Sequence, residues 1–116
     1  MTAAEGSFRA ADANEVRTAL EARAGKLVAE TLVNAPNVEV GVVQFRIEAG
    51  DDPKQIVHDD KSVVAVVLAG QGRLRVGSDV HDAKPGSVFH LPPGTPHDFA
   101  AAGGGALTLV YVLVNA

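Results

Sequence analysis

The chain has 116 residues, enough for one domain, and its 47% apolar and 21% charged residues exclude intrinsic disorder and a fibrous repeat. It has no cysteine, which excludes disulfide scaffolds and thiol nucleophiles, and its net charge of −4 argues against a nucleic-acid partner. Its apolar runs are far shorter than the ~20 residues that cross a bilayer, so we expect a soluble, cytoplasmic protein with no membrane partner.

The N-terminal part of the chain predicts one short helix. Residues 1–8 are small and polar and predict a loose terminus, so residues 9–116 are expected to form a single domain. A helix should begin after Asp12, because Asp12 and Glu15 have the spacing of a capping box. We expect it to end near Ala24, where the helical spacing of apolar residues stops and a glycine follows.

The rest of the chain predicts an all-β domain. Short runs rich in Val, Ile, Leu and Thr alternate with clusters of Gly, Pro, Asn and Asp, a pattern typical of antiparallel strands in a sandwich, barrel or jelly roll. Residues 34–37 have turn chemistry and should join the first two strands as a hairpin. The predicted strands span residues 26–33, 38–48, 55–58, 63–68, 73–76, 79–82, 87–91, 97–101 and 106–114.

One segment carries a specific motif. From Gly86 to His97 the chain fits the pattern G(x)5PxG(x)2H at every fixed position. Pro92 ends strand pairing because it lacks an N–H, and Gly94 permits a sharp turn that delivers His97 on the next strand. The segment resembles the second motif of the cupin superfamily, although Ala101 stands where that pattern ends in Asn.

The resemblance implies a small single-domain cupin with a cupin-like jelly-roll β-barrel over about residues 38–114. The first cupin motif, G(x)5HxH(x)3–4E(x)6G, registers on Gly50 and Gly70 if its second histidine is His58. In that register Ile56 and Val63 replace a metal-binding His and Glu. Of the four metal ligands of a complete cupin site, two histidines therefore remain, one from each motif.

His58 and His97 are expected to face each other across one pocket, as metal ligands or as a catalytic acid and base. Two imidazoles rarely hold a divalent ion alone, and Asp60, two residues after His58, could complete a set of two histidines and one carboxylate. The alternative is that Asp60 belongs to a solvated polar turn. The cofactor that this set implies is a divalent Fe, Mn, Ni or Zn ion, weakly bound or absent.

Further residues are expected to line the pocket. Arg46 and His90 are candidates. The alternative for Arg46 is exposure to solvent, and for His90 it is exposure to solvent or contact with a partner subunit. An inward Arg46 would indicate a carboxylate or phosphate substrate. Tyr111 is expected to be a core residue with its hydroxyl at an edge. The expected pocket residues are Ile56, Val63, Ala65, Val67, His90 and Arg46.

Two functions fit these features. One is a small enzyme of isomerase, cyclase or oxygenase type that uses His58 and His97 on a small organic molecule. The other is a non-catalytic module that holds an apolar ligand in the barrel. A homodimer is expected in either case, because strand 38–48 is apolar on parts of both faces. These residues are Val38, Val40 and Val42 on one face and Val43, Phe45 and Ile47 on the other.

Overall fold

The computed structural model describes residues 8–47, 55–103 and 105–115. Within these residues two antiparallel sheets are formed, one with the strand order β1-β2-β8-β3-β6 and one with the order β5-β4-β7. The predicted all-β jelly roll with one short helix is confirmed. The elements are α1 (Ala13–Glu21), β1 (Leu27–Ala35), β2 (Val38–Phe45), β3 (Lys61–Gly70), β4 (Gly72–Val76), β5 (Asp79–Ala83), β6 (Val88–Leu91), β7 (Asp98–Ala101) and β8 (Leu107–Asn115).

The core lies between the two sheets because their strands alternate apolar residues towards each other. In β3, Val63, Ala65 and Val67 are buried on the inner face, whereas the intervening residues are less buried. Phe45 of the larger sheet packs against Phe99 of the smaller sheet, with ring centroids 5.2 Å apart. The inner face of the larger sheet therefore forms one side of the core and of the cavity between the sheets.

Helix α1 covers part of the outer face of the larger sheet. Asp12 caps it by accepting hydrogen bonds from the N–H groups of Asn14 and Glu15, as the sequence predicts. It ends at Glu21, short of the predicted end at Ala24. The guanidinium of Arg46 donates to the backbone carbonyl of Leu20 in the last turn and to those of Arg23 and Gly25 just beyond it, so these carbonyls do not need a further helical turn.

Two predicted strands differ from the structure. Residues 55–58 do not form a strand but a single antiparallel bridge between Ile56 and His97. The ladder does not continue, because the N–H of Thr95 bonds to the carbonyl of Pro92 and the carbonyl of His58 accepts from Gly94 instead. Strand β2 ends at Phe45. Residue 48, the motif glycine Gly50 and residues 1–7 lie outside the described residues.

The outer face of the larger sheet is apolar beyond the edge of α1. Val42 lies under the helix with Leu20, whereas Val40, Val112 and Val64 lie side by side across β2, β8 and β3 and are half-buried. Val43, Phe45 and Ile47, expected at a subunit interface, instead face the interior. No helix in the described part of the chain has the length and hydropathy needed to cross a membrane.

Candidate functional site

A cavity of about 280 Å³ lies between the inner face of the larger sheet and the segments that lead into β3 and β7. Of the described residues that line it, most are aliphatic or phenylalanine, and four carry polar side chains: Glu39, His58, His97 and Tyr111. The volume is close to the lower end of known ligand sites, which span about 300–1,000 Å³. The cavity thus suits a small, largely apolar molecule that makes a few polar contacts.

His58 and His97 lie beside each other in this wall, with ring centroids 6.4 Å apart. The backbone holds them there. Ile56 and His97 exchange two N–H···O hydrogen bonds, of 2.6 and 3.0 Å, and the N–H of Gly94 donates to the His58 carbonyl at 2.8 Å. Gly94 has φ +76°, a conformation that side chains rarely adopt. The motif glycine therefore ties the turn before His97 to the segment that carries His58.

The surroundings of His97 set its tautomer and its charge. Its Nδ1 lies 2.9 Å from the carbonyl oxygen of Thr95, and because a carbonyl can only accept, Nδ1 carries the proton. Nε2 is then the basic nitrogen, and it has no hydrogen-bond partner among the described residues. Burial lowers the pKa of His97 below 6.5, and nearby His58 adds to this, while the Thr95 bond and Asp98 act in the opposite direction.

His97 is therefore a neutral imidazole at neutral pH, while its neighbour His58 is only half-buried. The His97 ring also packs against Phe99 in a T-shaped arrangement, with centroids 5.8 Å apart. A buried base with a fixed tautomer beside a more exposed imidazole is an arrangement suited to accepting a proton at one ring and donating one at the other.

The structure brings three of the other predicted pocket residues to the cavity. Ile56, Val63 and Ala65 line it together with the two histidines. Val67 does not line it, because Val67 packs into the core between the sheets. Ile56 and Val63, which the sequence analysis expects at ligand positions of the first motif, thus contribute apolar surface beside the histidines.

Three predicted site residues lie elsewhere. Asp60 is exposed in a turn that precedes β3, so the strand alternation that would have aligned it with His58 is absent. His90 is exposed on the outer face of β6, opposite Val64. Arg46 does not line the cavity, because it is bound to the end of α1 and to Gln44.

The donor set does not match that of a complete metal site. Within residues 8–47, 55–103 and 105–115, no group of three or more His, Asp or Glu residues could hold a metal ion. Protein zinc sites generally use three or four protein ligands, whereas this cavity wall offers two neighbouring imidazoles. The chemistry considered below is therefore that of the protein side chains.

Sequence reasoning missed the other two polar residues of the wall. The Tyr111 hydroxyl donates to Oε2 of Glu39 at 3.0 Å, so Tyr111 is not simply a core residue. Burial raises the pKa of Tyr111 above 10.0, as does Glu39, whereas a hydrogen bond with Thr31 lowers it. A signal was present in the sequence: Glu39 has the same strand parity as Val43 and should share its inward face.

Comparisons with known proteins agree with the fold described above. The family model for the cupin domain matches residues 43–113. A search of curated proteins finds no match. Solved structures that resemble the chain include three at 19–21% identity, a level at which the likeness concerns the fold. They are TT1209 from Thermus thermophilus (TM-score 0.75, 20% identity, covering 93% of this chain and 98% of that one), the Cnp3 cupin domain of Schizosaccharomyces pombe (0.69, 21%, 84% and 67%) and an RmlC-like cupin from Shewanella frigidimarina (0.67, 19%, 80% and 79%).

The lowered pKa of His97 predicts how stability depends on pH. Because its pKa is lower in the folded than in the unfolded chain, the unfolded state binds more protons below 6.5. The free energy of unfolding should therefore decrease as the pH falls from about 7 to about 5.5. Urea unfolding at several pH values measures this. His97→Gln should flatten the dependence, and His81→Gln, at an exposed position, should leave it unchanged; equal slopes in all three proteins would contradict the prediction.

Proposed function

We propose that this chain, which belongs to the cupin family, is a small enzyme that acts on a small organic molecule in the cavity through His58 and His97. The observation that carries the proposal is the pairing of a buried, neutral His97 with His58 in the wall of a mostly apolar cavity. Apolar surroundings strengthen the interaction of a ligand with these few polar groups. Neutral imidazole is also a suitable base near neutral pH.

In the proposed reaction, Nε2 of His97 takes a proton from the bound molecule. The Thr95 carbonyl holds the ring orientation, and the charge of Asp98 favours the imidazolium that forms. His58 is more accessible to solvent: as the imidazolium, protonated from solvent, it delivers a proton to a different atom of the molecule, and His97 then releases its proton to solvent. The bound molecule loses one proton and gains one proton, as it does in an isomerisation or a cyclisation. An oxygenase reaction would in addition need a redox-active ion.

The alternative proposal is a non-catalytic module that only binds a small molecule. The apolar side chains of Ile56 and Val63 in the cavity wall favour it, because they add contact surface and no chemistry. A cytoplasmic location belongs to both proposals and rests on the sequence alone. Proton transfer on a bound molecule distinguishes the two.

Hydrogen–deuterium exchange tests the enzyme proposal. Cyclohexanone and 2-hexanone have acidic C–H groups beside a carbonyl, and incorporation of deuterium from D2O is followed by proton NMR. We expect exchange faster than in buffer, reduced by about 100-fold or more in His97→Gln, since general base catalysis contributes about 10²–10⁴-fold. His81→Gln should retain the rate. Binding of these ketones without accelerated exchange would favour the binding module instead.

The proposal includes at most weak binding of a divalent ion by the two imidazoles. Since Ile56 and Val63 line the same cavity as both histidines, Ile56→His with Val63→Glu should create a four-ligand set and tighten Mn²⁺ and Ni²⁺ binding by orders of magnitude. Isothermal titration calorimetry measures the change. Ile56→Asn with Val63→Gln adds similar polarity without strong ligands and is the control. No gain over the control would mean that the register of the first motif is wrong.

We also propose that the chain forms a homodimer through the outer face of its larger sheet. Val40, Val112 and Val64 form an apolar row there, outside the area that α1 covers. Light scattering should give twice the monomer mass of 11.9 kDa. Val112→Glu, in the middle of the row, should give monomers, and Val80→Glu, exposed on the other sheet, should not. A mass near 11.9 kDa for the unmodified protein would contradict the proposal.

A further inference from the structure

We infer that Glu39 and Tyr111 form a second recognition site in the cavity, which selects apolar molecules bearing a hydroxyl or ammonium group and rejects carboxylates and phosphates. The inference rests on the proposed function, because it names the ligand class of the same cavity. The inference depends on other residues than the proposed function does. Glu39 lies on β2 and Tyr111 on β8, whereas the two histidines lie in the motif segments.

The geometry of the pair leaves hydrogen-bonding capacity for a ligand. Glu39 lies opposite Leu113 and Tyr111 lies opposite Gly41, so both side chains belong to the inner face of the larger sheet. A carboxylate can accept about four hydrogen bonds. Among the described residues, Glu39 accepts one, from Tyr111. A ligand O–H or N–H can therefore bind to Glu39 without breaking the existing bond.

The charge that the described lining residues carry disfavours anions. None of the described residues that line the cavity is a lysine or an arginine. Three of the described arginines are bound elsewhere: Arg46 to the end of α1, Arg23 to Glu30 and Arg75 to Asp98. Glu39 therefore presents a negative charge in a mostly apolar wall, where a second negative charge would be repelled strongly and a positive one attracted.

A glycine in the middle of a strand indicates that the position of Tyr111 matters. A Cβ at Gly41 would lie within 2.3 Å of the Tyr111 hydroxyl oxygen and 2.4 Å of its Cζ. Glycine weakens the interior of a strand, so its presence has an energetic cost. Because Gly41 has no side chain, the Tyr111 ring lies directly on the backbone of β2, where its hydroxyl reaches Glu39.

The two polar pairs give the cavity a defined pattern of recognition. The pair Glu39–Tyr111 anchors a hydroxyl or ammonium group of the ligand, and the apolar wall contacts its hydrocarbon body. Because the raised pKa of Tyr111 keeps its phenol protonated, the hydroxyl remains a donor at neutral pH. The anchored molecule then presents another of its atoms to the histidines.

Three probes with the same six-carbon chain test the inference: 1-hexanol, hexylammonium and hexanoate. Their affinities are measured at neutral pH by NMR titration, with the ring resonances of His97 and Tyr111 as reporters of binding in the cavity. We expect 1-hexanol and hexylammonium to bind at least tenfold more tightly than hexanoate. Glu39→Gln should reduce this preference at least tenfold, chiefly by weakening hexylammonium and strengthening hexanoate.

The control variant is Glu30→Gln, which removes the same charge from an exposed side chain on the neighbouring strand β1. It should preserve the order of affinities. Hexanoate binding as tightly as the other probes, or an order that Glu39→Gln does not change, would overturn the inference while leaving the proposed function intact. If none of the three probes perturbs the reporter resonances, the inference is overturned, whereas the proposed function is judged separately by the exchange of the ketones.

Discussion

The candidate site depends on a few backbone hydrogen bonds that join two segments distant in sequence. The bridge between Ile56 and His97, and the bond from Gly94 to the carbonyl of His58, place one histidine from each segment in the same wall. Among the described residues, these bonds are the backbone connection between the chain before β3 and the chain before β7 near the rings. The motif residues Pro92 and Gly94 shape this connection, which explains why a short pattern can specify a site.

Much of the fold could be predicted from local signals. The cap at Asp12, the hairpin between β1 and β2 and the alternation in β3 follow from capping, turn chemistry and period-two patterning. The predicted strand at residues 55–58 was wrong because its apolar content resembles that of a strand, while the partner segment turns away after one bridge and the N–H of Thr95 bonds to Pro92. The composition of a segment does not show how a second segment pairs with it, and a β-ladder requires both segments.

The site was less predictable for a similar reason. Asp60 and Arg46 have suitable chemistry and spacing, but a turn removes the first from the strand and the exposed carbonyls at the end of α1 bind the second. Glu39 and Tyr111 lie 72 residues apart, so only the register of β2 against β8 shows that they meet. Strand parity can indicate which face a residue occupies, but not which partner it finds there.

The bond from His97 to Thr95 has a consequence for how the site can change during evolution. The group that accepts the ring proton is a main-chain carbonyl, and every amino acid possesses one. Replacement of the Thr95 side chain therefore cannot remove the acceptor, and the choice of basic nitrogen is protected from point mutation at that position. Substitutions that redirect the backbone can still change the basic nitrogen, for example at Gly94 before Thr95 or at Pro96 after it. The tautomer of His97 thus depends on the shape of a loop, and not on the identity of a neighbouring side chain.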